Sequence, residues 1–123
     1  AAAQTLPFAA APPGADCTHD EVRLDDEGRS MNDGVHISLY VRDLPTTYAA
    51  AEALGVTYVN HRFKRRAYTL PQAVEQCMFR ILDVVDPEAP HEGPILRLEH
   101  EVRSCVTADG TKYKSCPLDL SLV

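Results

Sequence analysis

Residues 34–41 read Gly-Val-His-Ile-Ser-Leu-Tyr-Val, and this stretch decides the fold class. Apolar side chains occupy every second position: Val35, Ile37, Leu39 and Val41. The positions between them hold His36, Ser38 and Tyr40. An apolar period of two with β-branched residues predicts a strand that buries one face. We therefore predict a first strand with an apolar face and a polar face that carries His36.

A capped helix follows this strand. Pro45 lies at the start of an Ala-rich segment that ends at Leu54, and Gly55 comes directly after it. Proline is favoured in the first turn of a helix, and glycine is favoured just past the last residue. We therefore predict a helix from Pro45 to Leu54, followed by a second strand at residues 56–59.

The rest of the chain predicts one more helix and three strands. Thr69 and Gln72 match a capping box, which indicates a short helix through about Gln76. Strands are expected at residues 78–85, 95–106 and 112–116. Asp109-Gly110 would form the turn of a C-terminal β-hairpin. In the strand at residues 95–106, strict alternation predicts one face with Ile95, Arg97, Glu99 and Glu101 and another with Leu96, Leu98, His100 and Val102.

Residues 1–33 differ from the rest of the chain because Ala, Pro, Gly and acidic residues dominate them. They show no sustained period, and only a short strand at residues 21–24 is expected there. We therefore divide the chain into an irregular arm, residues 1–33, and one α+β domain, residues 34–123.

Composition restricts the function. A chain of 123 residues fits one small domain, and a formal net charge of −6 argues against nucleic-acid binding. No apolar run is long enough to cross a bilayer, and the N-terminus lacks the pattern of a signal peptide. None of the four cysteines forms a C-x-x-C pair, so zinc-ribbon spacing is absent. We expect reduced thiols and an intracellular chain, in the cytoplasm or an organelle.

A basic loop is expected between the second strand and the second helix. It contains Phe63, preceded by His61 and surrounded by Arg62, Lys64, Arg65 and Arg66. Arginine binds phosphate and carboxylate groups well, so the loop could hold an anion or contact an acidic partner. The alternative is a solvated loop without a ligand, which is common for runs of charge.

Residues 36–44, His-Ile-Ser-Leu-Tyr-Val-Arg-Asp-Leu, resemble the opening strand of vicinal oxygen chelate modules, the superfamily of glyoxalases, bleomycin-resistance proteins and extradiol dioxygenases. Leu54-Gly55 lies where that family ends its first helix. Residues 79–82, 86–87 and 96–100 are similar to its third strand, its Asp-Pro turn and its Glu-bearing fourth strand. The resemblance implies a curved mixed β-sheet of a single βαβββ module, with the helix on its convex side and the first strand paired with the fourth.

The chain departs from the family pattern in two respects. Glu88 to Glu92 lengthen the turn before Gly93. A complete family site is built from two modules, and only one is visible here. The resemblance therefore implies a partner module, from a homodimer, from a different protein or from sequence outside this chain.

The resemblance also implies a metal site. In the family, a His or Gln from the first strand and a Glu from the fourth bind the ion. These positions hold His36 and Glu99, and Glu101 and His100 are alternatives to Glu99. Such ligands suit zinc, nickel, iron or manganese. Glu99 would also be the catalytic residue, as a carboxylate that leaves the metal and acts as general base.

Two functions follow from these observations. One is a metal-dependent lyase, isomerase or dioxygenase whose site is completed by a second module. The other is a non-catalytic glyoxalase-like protein that serves as a binding or structural subunit of a larger assembly. The single visible module, the lengthened turn and the irregular arm favour the second.

Overall fold

A computed structural model describes residues 12–14, 24–27 and 36–121 of the chain. The elements are β1 (Ile37–Val41), α1 (Leu44–Ala53), β2 (Thr57–Tyr58), α2 (Leu70–Gln76), β3 (Met78–Val85), a short 3-10 helix (Pro90–Glu92) and β4 (Pro94–Ser104). Two helices and a mixed four-stranded sheet confirm the predicted α+β class. No helix in the described ranges is both long and apolar enough to cross a membrane.

The strands lie in the order β1-β4-β3-β2. β1 pairs with β4, as predicted, and the two strands are parallel, with Leu39 opposite Val102. β3 is antiparallel to β4, and β2 is antiparallel to β3. The parallel pair needs a long connection between its strands, and the helices α1 and α2 lie within that connection.

Both helices begin at side-chain caps. Asp43 Oδ1 accepts a hydrogen bond from Thr46 N at 3.1 Å, and Pro45 stands in the first turn of α1. Thr69 Oγ1 accepts from Gln72 N at 3.4 Å, while Gln72 Oε1 accepts from Tyr68 N. The predicted capping box is therefore present, with its return bond one residue earlier than usual.

The hydrophobic core lies between the helices and one face of the sheet. Its buried members come from all the larger elements except β1: Leu44, Tyr48, Ala51, Ala73, Phe79 and Val102. Tyr48 meets Phe79 edge to face, with ring centroids 5.2 Å apart. Val41 and Ile81 pack against this cluster from β1 and β3. The apolar face of β1 is therefore directed at the core, as its sequence pattern predicts.

The predicted alternation along β4 is wrong for Arg97. Ile81 lies opposite His100, but Asp83 lies opposite Arg97, so the one residue between them on β3 faces two residues, Leu98 and Glu99, on β4. This β-bulge shifts the alternation by one position. Arg97 therefore leaves the face of Glu99 and forms an ion pair with Asp83 at 3.0 Å.

The predicted final strand at Lys112–Cys116 is also wrong. The turn at Asp109-Gly110 forms, but only one bridge follows it, between Val106 and Lys112. Tyr113 N donates to Cys105 O, and Cys116 N then donates to Tyr113 O. The chain thus curls back on itself instead of extending a ladder, so the C-terminal β-hairpin is reduced to a turn with a single bridge.

Only part of the arm lies within the described residues. Of the strand predicted at residues 21–24, Leu24 alone is described, and it forms an isolated bridge. Leu24 lies beside the segment from Gly55 to Tyr58 and beside Leu82. The first two positions of the predicted first strand, residues 34–35, lie outside the described residues.

Candidate functional site: an ion network on the sheet

The sheet face away from the helices carries charged side chains. Because Phe79 and Val102 point to the core, their neighbours Arg80 and Glu101 point to the opposite face. Arg80 and Glu101 are directly opposite each other on β3 and β4. We call the charged and polar side chains that contact each other on this face the ion network: His36, Asn60, Arg80, Glu99, Glu101 and Arg103.

Glu99 is fully buried and held on both of its oxygens. Asn60 Nδ2 donates to Oε1 at 3.0 Å and to Oε2 at 2.9 Å. Arg80 Nη1 lies 3.3 Å from Oε1. A buried carboxylate needs such donors, because its desolvation would otherwise be very costly. The charge of Glu99 is thus balanced within the chain.

Glu101 contacts three cationic or ionisable groups. Arg80 Nη2 lies 2.7 Å from Oε2, His36 Nε2 lies 3.3 Å from the same oxygen, and Arg103 Nε donates to Oε1. Burial raises the pKa of Glu101, but the charges of Arg80 and Arg103, the hydrogen bond from Arg103 and the charge of His36 outweigh it. The pKa of Glu101 therefore lies below its ordinary value of 4.5.

The loop after β2 covers the guanidinium of Arg80. The Phe63 ring lies over Arg80, with its centroid 4.1 Å from Cζ, and meets the His36 ring edge-on at 5.3 Å. Asn60 Oδ1 accepts from Arg62 N at 2.9 Å, which ties the start of this loop to the network. Stacking on an aromatic ring stabilises a guanidinium that has lost water. The Phe63 ring therefore covers the guanidinium of Arg80 on one side.

The network reaches solvent at its β1 side. The side chains of Arg80 and Glu99 are 5% and 0% exposed, whereas those of His36 and Arg103 are 23% and 25% exposed. Arg103 Nη1 donates to Tyr40 Oη at 2.9 Å. Within the ion network, His36 and Arg103, beside strand β1, are thus the side chains that another molecule can reach most easily.

The basic loop has two kinds of arginine. Arg66 donates to the backbone oxygens of Phe63 and His61 at 2.8 and 2.6 Å, and Arg65 donates to the backbone oxygen of Gln76. These two guanidiniums therefore support the loop that carries Phe63. Arg62 and Lys64 are exposed. The predicted role of this loop in binding an anion or a partner stays a prediction.

The predicted metal ligands differ in their depth and in the residues that they contact. His36 adjoins Glu101, one of the alternatives, while Glu99 lies deeper and is bound by Asn60 and Arg80. By alternation His100 lies on the core side of the sheet, and its Nδ1 is 2.5 Å from Leu98 O. Among the described residues, no group of three or more His, Cys, Asp or Glu side chains is arranged to hold a metal ion.

Sequence reasoning missed Asn60, Arg80 and Arg103. The pattern of Phe79, Arg80 and Ile81 contained a signal, because an arginine between two core residues must face the other side of the sheet. Asn60 carried no comparable signal, since its contact with Glu99 joins residues 39 positions apart.

No family model, curated protein or solved structure matches this chain. The interpretation of the site therefore depends on its geometry.

The carboxylates and guanidiniums of the ion network compensate each other's charge. Two carboxylates, Glu99 and Glu101, face two guanidiniums, Arg80 and Arg103. A metal ion near these carboxylates would have to displace a guanidinium or share a carboxylate with it, against electrostatic repulsion. The arrangement is chemically suited to hold four segments of the chain together.

Proposed function

We propose that this chain is a single βαβββ module of the vicinal oxygen chelate kind that acts as a non-catalytic binding or structural subunit of a larger assembly. The order of the strands supports the module, because the first strand pairs in parallel with the fourth. The helix α1 joins β1 to β2, as the resemblance implies.

One observation carries the non-catalytic part of the proposal. Glu99, which occupies the position of the family's carboxylate ligand, is fully buried and bound on both oxygens by Asn60. Arg80 supplies the positive charge that a metal ion would otherwise supply. Removing these donors would leave an uncompensated buried carboxylate, which is strongly unfavourable. In this proposal the pairing of Glu99 with Asn60 and Arg80 takes the place of metal binding at this position.

The partner in this proposal is a second βαβββ module, in a homodimer or on another protein. Within the described sheet β1 is an edge strand, and sheet edges are sites where further strands add. His36 and Arg103 lie beside this edge and are partly exposed. A partner that places a carboxylate there would extend the ion network across the interface.

A second candidate has one observation in its favour. His36 Nε2 and Glu101 Oε2 are 3.3 Å apart, so the imidazole and one carboxylate of the family ligand set do meet. Two copies related by two-fold symmetry could then supply two such pairs to one ion. This arrangement would be a metal-dependent lyase, isomerase or dioxygenase with Glu101 in the place expected for Glu99.

Metal content distinguishes the two candidates, because both require a second module. We expect the chain, purified without chelators, to contain well below one transition metal ion per two chains and to sediment as a dimer or with partners. The His36→Ala variant should leave the metal content unchanged, as should the control His91→Ala, in the exposed 3-10 helix. One metal ion per two chains that is lost in His36→Ala alone would instead establish the metal-dependent candidate.

A further inference from the structure

Two buried thiols meet where the chain leaves β4. Cys105 and Cys116 are 1% and 5% exposed, and both are free thiols. Tyr113 N donates to Cys105 O at 2.8 Å, and Cys116 N donates to Tyr113 O at 2.9 Å. This backbone path brings Cys116 back to Cys105, and the Cys116 thiol lies near enough to raise the pKa of Cys105, while its Sγ is 3.9 Å from Leu118 O. The two cysteines are therefore neighbours in the folded domain, and a disulfide between them needs their sulfur atoms to approach to about 2 Å.

Few other contacts hold the segment that carries Cys116. Besides the bridge between Lys112 and Val106 and the hydrogen bond of Tyr113 N to Cys105 O, its described hydrogen bonds to the rest of the domain are those of Tyr40 Oη to Ser115 O at 2.8 Å and of Arg65 Nη1 to Tyr113 Oη at 3.3 Å. One of these partners lies on β1 and the other on the basic loop. A covalent link between Cys116 and Cys105 would thus add a bond between this segment and the end of β4.

We propose that Cys105 and Cys116 are a modification site, at which a hydroperoxide forms a reversible disulfide that fastens the C-terminal segment to the sheet. The site does not depend on the proposed function, because it rests on contacts outside the ion network. It also agrees with free thiols in the reduced chain, since the bond forms only on oxidation.

The reaction balances in two steps. In the first step the sulfur of Cys116, the less buried of the two residues, attacks a peroxide oxygen, the O–O bond breaks, and a sulfenic acid and one water (from hydrogen peroxide) form. Cys105 Sγ then attacks that sulfur, the S–S bond forms, the S–O bond breaks, and the hydroxide takes the thiol proton to leave as water. Two thiols are oxidised and one peroxide is reduced to two waters.

The environment of Cys105 sets the rate of the second step. Burial, together with the hydrogen bond from Cys116, raises the pKa of Cys105 to about 11. Cys105 is therefore a neutral thiol near neutral pH, and the thiolate is the reactive form. We expect disulfide formation to be slow at neutral pH and to accelerate as the pH rises.

Peptide mapping tests the site directly. The folded full chain is treated with hydrogen peroxide, remaining thiols are blocked with iodoacetamide, and the chain is digested with trypsin without reductant. Trypsin cleaves after Lys and Arg, so each cysteine lies in a different peptide. Cys105 is in residues 104–112 and Cys116 is in residues 115–123. We expect these two peptides as a linked pair, lighter than their sum by two hydrogens, and separate again after reduction.

Two variants and a stability measurement complete the test. The Cys77→Ser chain should still form the linked pair, and the Cys116→Ser chain should not. The oxidised wild-type chain should unfold at a higher urea concentration than the reduced chain, because the link restricts the unfolded state. Three results would each overturn the proposal. They are alkylation of both peptides by iodoacetamide after peroxide treatment, sulfinic acids on the separate peptides, and links to Cys17 or Cys77.

Discussion

Arg80 is the residue on which the charged face of the sheet depends. Its guanidinium lies between Glu99 and Glu101, at 3.3 and 2.7 Å, and the Phe63 ring covers it. Without it, two buried carboxylates would lose the cation that they share. Breaking one side of a buried ion pair is far more costly than losing the pair as a whole, because a charge remains without compensation.

The Arg80→Met variant should therefore lower the free energy of unfolding by about 3–5 kcal/mol, measured by urea denaturation near neutral pH. The matched control is Arg97→Met, whose ion pair with Asp83 is 36% exposed on both sides. Exposed pairs contribute below about 1 kcal/mol, so the control should be nearly neutral. Equal losses in the two variants would show that Arg80 does not hold the network.

Among the helices and strands, those that the sequence predicts correctly are formed by interactions between residues close to each other in the chain. The period of β1, the position of Pro45 and the capping pair Thr69 and Gln72 each act within a few residues, and the elements that they predict are present. His36, which directly precedes β1, and the carboxylates of β4 could also be placed on one side of the sheet from alternation alone.

The features that sequence reasoning missed depend on distant partners. The β-bulge in β4 arises from its register with β3, and a pattern within one strand does not reveal an extra residue. The final strand fails because Cys116 N bonds to Tyr113 O within its own segment. Likewise, Glu99 and Asn60 meet only once β2, β3 and β4 are aligned. The candidate residues were therefore partly predictable, but their pairing was not.

At the scale of the whole molecule, the ion network joins β1, the loop after β2, β3 and β4. The stability of the domain should therefore follow the charge of Glu101. Because the pKa of Glu101 is lowered in the folded chain, its carboxylate stabilises the fold fully above its ordinary value of 4.5. This contribution is lost as the pH falls through the lowered folded pKa.

We predict that the urea midpoint stays steady from about pH 7 to about pH 5 and falls below pH 4.5. The Glu101→Gln variant should have a lower midpoint near neutral pH and a shallower fall in acid. The Glu75→Gln control, at an exposed position of α2, should follow the wild-type profile. A Glu101→Gln chain with the unchanged wild-type profile would contradict this account.

Asn60 and Arg80 supply the hydrogen bonds and the positive charge that the buried carboxylate of Glu99 needs. The side-chain amide of Asn60 reports on this directly, because its nitrogen lies 3.0 and 2.9 Å from the two oxygens of Glu99. In nitrogen-15 NMR spectra we predict Asn60 amide signals that exchange slowly with solvent and that equimolar Zn²⁺ or Mn²⁺ neither shifts nor broadens. Signals that Zn²⁺ moves, or that Mn²⁺ erases at equimolar concentration, would contradict the claim.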